Sequence, residues 1–152
     1  MHNLYLFTLL LPLIFCFPNS ELNPVPKHKR GIRPAQAIGV RGILLCNGRP
    51  ESDVLVKLYD HDTFTLDDLI AKGKTDYYGN FQIAGHEHEI SRITPKLNIY
   101  HDCNDWWPCQ RKISIYVPKA YITPGKYADY FYNVGVIELS GEFEGESRDC
   151  FH

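Results

Sequence analysis

Asn followed by any residue and then Ser or Thr occurs nowhere in the 152-residue chain, so N-linked sugar is not expected on its surface. No segment repeats and no low-complexity tract occurs, which excludes solenoids and linker-like arrays. Helical periodicity is nowhere sustained, and after residue 17 no apolar run is long enough to cross a membrane. Basic residues are not in excess, with Lys+Arg 16 against Asp+Glu 18, a net charge of −2 and a pI of about 6.4. That balance argues against nucleic acid as the main partner.

What the chain has begins with residues 4–17, an uncharged apolar run behind the first methionine and too short to span a bilayer comfortably. It reads as a signal peptide over residues 1–20, with an uncleaved anchor as the alternative. Residues 21–36 are polar, basic and broken by Pro24, Pro26 and Pro34, the character of a tail or pro-segment. Within it Lys27, Lys29 and Arg30 stand before Gly31 as a possible processing site, or simply as a solvated basic tail. Removing everything before Gly31 takes away Lys27, Lys29, Arg30 and Glu21, so Lys+Arg falls from 16 to 13 and Asp+Glu from 18 to 17, a net −4. The folded domain is assigned to residues 37–152. Export makes the cysteines meaningful. Cys16 leaves with the signal, and Cys46, Cys103, Cys109 and Cys150 are expected as two disulfides with three connectivities open. Their separations match no zinc finger or ribbon, so no metal and no cofactor is expected.

Residues 40–45 alternate, with Val40, Gly42 and Leu44 on one face and Arg41, Ile43 and Leu45 on the other. Residues 54–59 do the same, with Val54, Val56 and Leu58 opposite Leu55, Lys57 and Tyr59, and Asn47, Gly48 and Pro50 supply a turn between them. The two read as a hairpin whose apolar faces the rest of the chain must cover. Further strands are expected at residues 80–84, 96–101, 111–117 and 131–139. Asp76 and Gly79 make a turn within residues 75–81, and residues 85–91 read as a polar link. Thr65 with Asp68 forms a capping-box pattern, and Leu66, Leu69 and Ile70 have helical spacing, so local propensity favours one or two helical turns there. The fold class this implies is all-β, a two-sheet antiparallel sandwich of about seven strands stabilised by disulfides.

In chain order GVRGILLCNGRP, DVLVKLYDHD, TDYYGNFQIAG, the spacing of Glu89, Ile93 and Pro95, KLNIYHDC, Cys109-x-Arg111 and YVPKAYI resemble the nematode transthyretin-like family of secreted proteins. The resemblance covers residues 38–150 and lies in the order of many short pieces. It implies a Greek-key transthyretin-like (prealbumin-like) sandwich in extracellular use, with a strand over residues 69–75 in place of the local helix signal. In such a fold Cys46, Cys103 and Cys109 meet at one pole, so at least one of Cys103 and Cys109 is expected to bond outside that pair, to Cys46 or Cys150. Members look like extracellular ligands and effectors, and the implied role is a secreted, non-enzymatic binder of a protein or cell-surface component. Oligomeric state is left open. A carrier of a small hydrophobic molecule is the alternative, and it requires an assembly with a channel between subunits. A hydroxyisourate hydrolase is the third reading. That enzyme uses two histidines, an arginine and a C-terminal Tyr-Arg-Gly-Ser, whereas this chain has Ile38, Gly39 and Val40 in the first strand, Asn80 in the turn, Arg111 to Ser114 without histidine, and the ending Asp149-Cys150-Phe151-His152. No catalytic residue is therefore assigned.

Four constellations remain. Trp106 and Trp107, between Cys103 and Cys109, either form a docking surface or fold back over the end of the sandwich as a plug. Tyr127 and Tyr130, with Tyr121 and Tyr132, either line a ligand groove or clamp a long connection to the sheet. His86 and His88 point to one side of an extended segment and could share a metal with His61 or His101, but nothing fixes a third ligand, and a plain polar link is the simpler reading. Asp60, His61 and Asp62 could hold calcium, or simply end a strand in solvent.

Overall fold

The structure, a computed structural model, describes residues 33–62 and 66–152. The signal peptide, most of the tail, the Lys27, Lys29 and Arg30 site, and Thr63 to Thr65 lie outside them. Among the described residues the strands are β1 (Ala35–Cys46), β2 (Arg49–Pro50), β3 (Leu55–Asp60), β4 (Asp68–Lys74), β5 (Asn80–His88), β6 (Pro95–His101), β7 (Gln110–Tyr116), β8 (Thr123–Pro124), β9 (Phe131–Glu138) and β10 (Ser147–Asp149), with one 3-10 turn at Lys119–Tyr121. The strands beyond the expected seven are β2, β8 and β10, of two or three residues each, too short to print an alternation.

Two sheets face one another. In the first, β1 pairs antiparallel with β5 along one side and with β2 at its end, while β8 and then β9 take the other side. In the second the order is β10-β7-β6-β3-β4, antiparallel throughout. The chain crosses between sheets from β2 to β3, β4 to β5, β5 to β6, β7 to β8 and β9 to β10, which gives the Greek-key sandwich. One pairing, β1 with β9, is parallel, and only the long crossing over residues 117–130 makes it possible.

Three local expectations are corrected. The hairpin at Asn47 and Gly48 joins β1 to β2, with both turn residues at positive φ, and the strand at residues 55–60 belongs to the opposite sheet. Val40 and Leu44 thus meet Val56 and Leu58 across the core, all four fully buried, in place of lying side by side. Each such side chain contributes about 1.5–3 kcal/mol on burial, more than two faces left to find other cover. Residues 68–74 form a strand and not the helical turn of the local signal, as the resemblance implied for residues 69–75, because pairing with β3 along Asp60 to Leu55 outweighs local capping. Residues 85–88 extend β5 and pair with Ala35 to Ile38, so the expected link begins only after His88.

The turn before β5 is specified by two side-chain features. Asp76 Oδ1 accepts from the main-chain N–H of Tyr78 and Asn80 at 2.9 and 2.8 Å. Gly79 has φ +75°, and a Cβ there would lie 2.4 Å from the Leu44 carbonyl oxygen, so only glycine fits without a shift.

Candidate functional site

The end of β1, the connection from β6 to β7, the end of β9 and the C-terminal strand converge at one pole. Cys46 is bonded to Cys103, and Cys109 to Cys150, across sequence separations of 57 and 41 residues. Both cysteines of the connection are therefore anchored to different parts of the chain. Asn104 and Asn47 exchange side-chain amide hydrogen bonds of 2.8 and 2.9 Å, each residue holding φ +53°. Glu138 at the end of β9 accepts from the N–H groups of Asn47 and Gly48 at 2.8 and 2.7 Å.

Within the loop, Arg148 of β10 donates to both oxygens of Asp105, at 2.6 and 2.9 Å, and to the Cys109 carbonyl at 2.9 Å. This bidentate contact holds the Asp105 carboxyl down to about 2. Hydrogen bonds from Ser140 and from the Gly48 and Asn47 amides hold Glu138 down to about 2 as well. Below the loop, Arg111 is nearly buried. It donates to both Glu146 oxygens, and to the carbonyls of Cys103, Leu139 and Gly141 at 3.2, 3.3 and 2.6 Å. Their mutual hydrogen bonds, reinforced by the attraction of opposite charges, raise the Arg111 pKa and lower that of Glu146.

On this support Trp106 and Trp107 stand outward, 82% and 59% exposed, with rings stacked at 4.8 Å and 24°. They do not plug the sandwich. They border a cleft of about 490 Å³ with Asn104, Asp105, Arg111 and Arg148 among its walls. A loop whose backbone is tied by two disulfides and an ion pair, and whose two indoles stack on each other, loses little freedom on contact with a partner.

The tyrosines divide. Tyr121 and Tyr132 pack edge to face at 5.0 Å against the core, which is the clamping role. Tyr127 and Tyr130 are exposed, and Tyr130 borders a shallow cleft with Arg41 and Tyr121. They do not join the tryptophans. The Tyr-rich crossing leaves β8, which pairs with Gln36 and Ala37, while the tryptophan pole sits at Cys46, about 30 Å further along β1 at 3.3 Å per residue.

His86 and His88 approach to 5.5 Å between ring centres. His61 is engaged elsewhere, its Nδ1 2.8 Å from Asp67. His101 is 2% exposed with both ring nitrogens lacking hydrogen-bond partners among the described residues, and burial followed by the nearby Arg111 charge lowers its pKa. Asp60 is buried and accepts from the Thr94 amide at 2.7 Å, and burial raises its pKa. Among the described residues no group of three His, Cys, Asp or Glu side chains could hold a metal ion, and no helix is long and apolar enough to cross a membrane.

The supports that sequence reasoning missed are Arg111, Glu146, Arg148, Asp105 and the Asn47–Asn104 pair. Their partners lie 35, 43 and 57 residues away, beyond any local pattern. The lone Asn-Gly turn was the one available signal.

Fold and disulfides together define a two-sheet β-sandwich of the transthyretin type. The chain belongs to the transthyretin-like family (TTR-52), whose model matches residues 41–118. It is 57% identical over 119 residues to transthyretin-like protein 5 of Caenorhabditis elegans, covering 77% of this chain and 86% of that one. Transthyretin-like proteins 33 and 2 of the same organism are 49% and 41% identical, each over 77% of this chain and over 83% and 84% of their own length.

Proposed function

We propose that this chain is a secreted, non-enzymatic binding protein that meets an extracellular protein or a cell-surface component through the Trp106–Trp107 loop. The observation that carries the reading is the outward stack itself. Two indoles are held in solvent by Cys46–Cys103, Cys109–Cys150 and the Arg148–Asp105 contact. Displaying that much apolar surface on a rigid base costs stability and solubility, and aromatic anchors of this kind dominate interface energetics. The family and the two disulfides are compatible with export. The residues on which a hydroxyisourate hydrolase relies have no counterparts in the sequence.

The test is affinity capture from cell-surface extract by the oxidised chain, run beside a Trp106→Ser/Trp107→Ser variant of matched thermal stability. A hot-spot pair is expected to cost the captured partner at least about 30-fold in affinity, the equivalent of roughly 2 kcal/mol. Retention of the same partners at the same affinity would move the site elsewhere. Mass spectrometry without reduction of the natural secreted product would show whether cleavage follows Arg30.

A further inference from the structure

We infer that His86 and His88 form a chelating site for a zinc ion on the outer face of the first sheet. The site lies at the end of β1 opposite the tryptophan pole, since His86 and His88 pair with Ala37 and Ala35 while the pole is built at Cys46. In β5 Phe81 and Ile83 are buried while Gln82 and Ala84 are exposed, so strand alternation sets His86 and His88 together on the outward side. The ladder with Ala35 to Ile38 fixes both backbones, which a plain link between strands would leave free.

Three features of the pair suit a metal and are not demanded by the packing. The first is spacing, with ring centres 5.5 Å apart. Given a Zn–N bond of about 2.05 Å and about 1.1 Å from nitrogen to ring centre, two imidazoles on one ion at the tetrahedral angle have centres about 5.2 Å apart, against about 4.5 Å at a right angle. The observed value lies near the tetrahedral one, which favours zinc over the square-planar arrangement of Cu(II) or Ni(II). The second is the state of the nitrogens. Nδ1 of His88 lies 3.3 Å from the main-chain carbonyl oxygen of Arg33, and because a carbonyl only accepts, that nitrogen carries the proton and Nε2 keeps its lone pair. Metal-ligating histidines are oriented by contacts of this kind. No hydrogen bond or ion pair engages either ring nitrogen of His86 among the described residues. The third is room. Directly across from the two histidines stand Ala35 and Ala37, and the next residue along the face is Ala84, so only methyl groups border the pair along these two strands.

Charge points the same way. Glu87 lies between the histidines, its Oε1 accepting from the His88 amide at 2.8 Å, and Glu89 follows, 3.9 Å from Arg33. With neutral imidazoles these three side chains sum to −1, a field that attracts a cation. Calcium and magnesium take oxygen ligands, and two imidazoles do not suit them. No third protein ligand joins the pair among the described residues, so water fills the remaining positions and the expected affinity is micromolar, short of a closed four-ligand site.

The probe is Zn²⁺ alone, titrated calorimetrically into the full oxidised chain in a buffer that does not bind metal. One ion per chain is expected, with affinity falling at least tenfold between about pH 7.5 and about pH 5.5 because zinc must displace protons from the rings. His86→Ala and His88→Ala are each expected to weaken binding at least tenfold, since either leaves one donor of a chelate. Glu87→His/His88→Ala keeps two histidines but turns one to the other side of the strand, and is expected to bind as weakly as His88→Ala. His61→Ala/His152→Ala, which removes two histidines from elsewhere, is expected to bind as the parent does. In nuclear magnetic resonance spectra zinc is expected to shift the ring protons of His86 and His88 and leave those of His61 in place. All variants are first matched to the parent by circular dichroism and thermal midpoint. The inference is overturned if the parent takes up no zinc at concentrations up to about 1 mM, if either single variant or Glu87→His/His88→Ala binds as the parent does, or if the His61/His152 control loses as much. Trp106→Ser/Trp107→Ser is expected to leave the titration unchanged, so this site and the tryptophan-loop reading stand or fall separately.

Discussion

Replacing Glu146 by Gln strands the Arg111 guanidinium in a site where its side chain is 10% exposed. Removing one member of a buried pair costs about 3–5 kcal/mol because the remaining charge has neither water nor counter-ion. Glu146 is itself 17% exposed, which puts the expected loss at the lower end, about 3 kcal/mol. At about 4 °C per kcal/mol for a domain of this size, the midpoint should fall by about 12 °C. Urea unfolding of the oxidised chain at pH 7 measures the loss directly, with an unchanged denaturant slope expected. Arg111→Met should cost as much or more, because it also leaves the carbonyls of Cys103, Leu139 and Gly141 without their donor. The double variant should be less than the sum, with a coupling of at least about 1.5 kcal/mol. Salt at about 1 M should leave most of the effect in place, since a covered pair is weakly screened. A loss below about 1 kcal/mol for Glu146→Gln, or strict additivity, would show that the pair does not hold the pole together.

Other outcomes follow from the same geometry. Cys46→Ala/Cys103→Ala opens a closure of 57 residues and should cost about 4 kcal/mol by chain entropy, read by calorimetry against the parent; a reduced parent as stable as the oxidised one would refute this. Gly79→Ala forces a Cβ to 2.4 Å from the Leu44 carbonyl at φ +75° and should cost at least about 2 kcal/mol in urea unfolding. Acid should destabilise in two stages. The folded pKa of His101 lies below its ordinary 6.5, so the unfolded chain binds the proton first and stability falls as pH drops below about 6.5. Asp105 and Glu138 sit at about 2 against 3.8 and 4.5, so their contribution is complete above those ordinary values and is lost as pH falls towards 2. His101→Phe should remove the first stage and leave the second, and a first stage that persists would assign it to another group. Size-exclusion chromatography bears on the carrier alternative, since a strict monomer has no channel between subunits.

Alternation at residues 40–45, 54–59, 96–101 and 111–117 was enough to place those strands, because a sheet face imposes period two on any chain that must bury one side of it. Cysteine number, together with the order of the family's short pieces, carried the disulfide-bonded sandwich. Sequence alone could not say that residues 40–45 and 54–59 sit in opposite sheets, since both arrangements use the same alternating faces. Local pattern alone favours a helical turn over residues 66–70, and only the family resemblance overrides it; the ladder with β3 that decides the matter joins residues eight to nineteen apart, beyond the reach of a capping signal. The tryptophans were visible as a pair of aromatics between two cysteines, but their exposure was not. Whether such rings turn outward or fold inward depends on what fills the space beneath them, and here Arg111, Glu146 and Leu139 already occupy it.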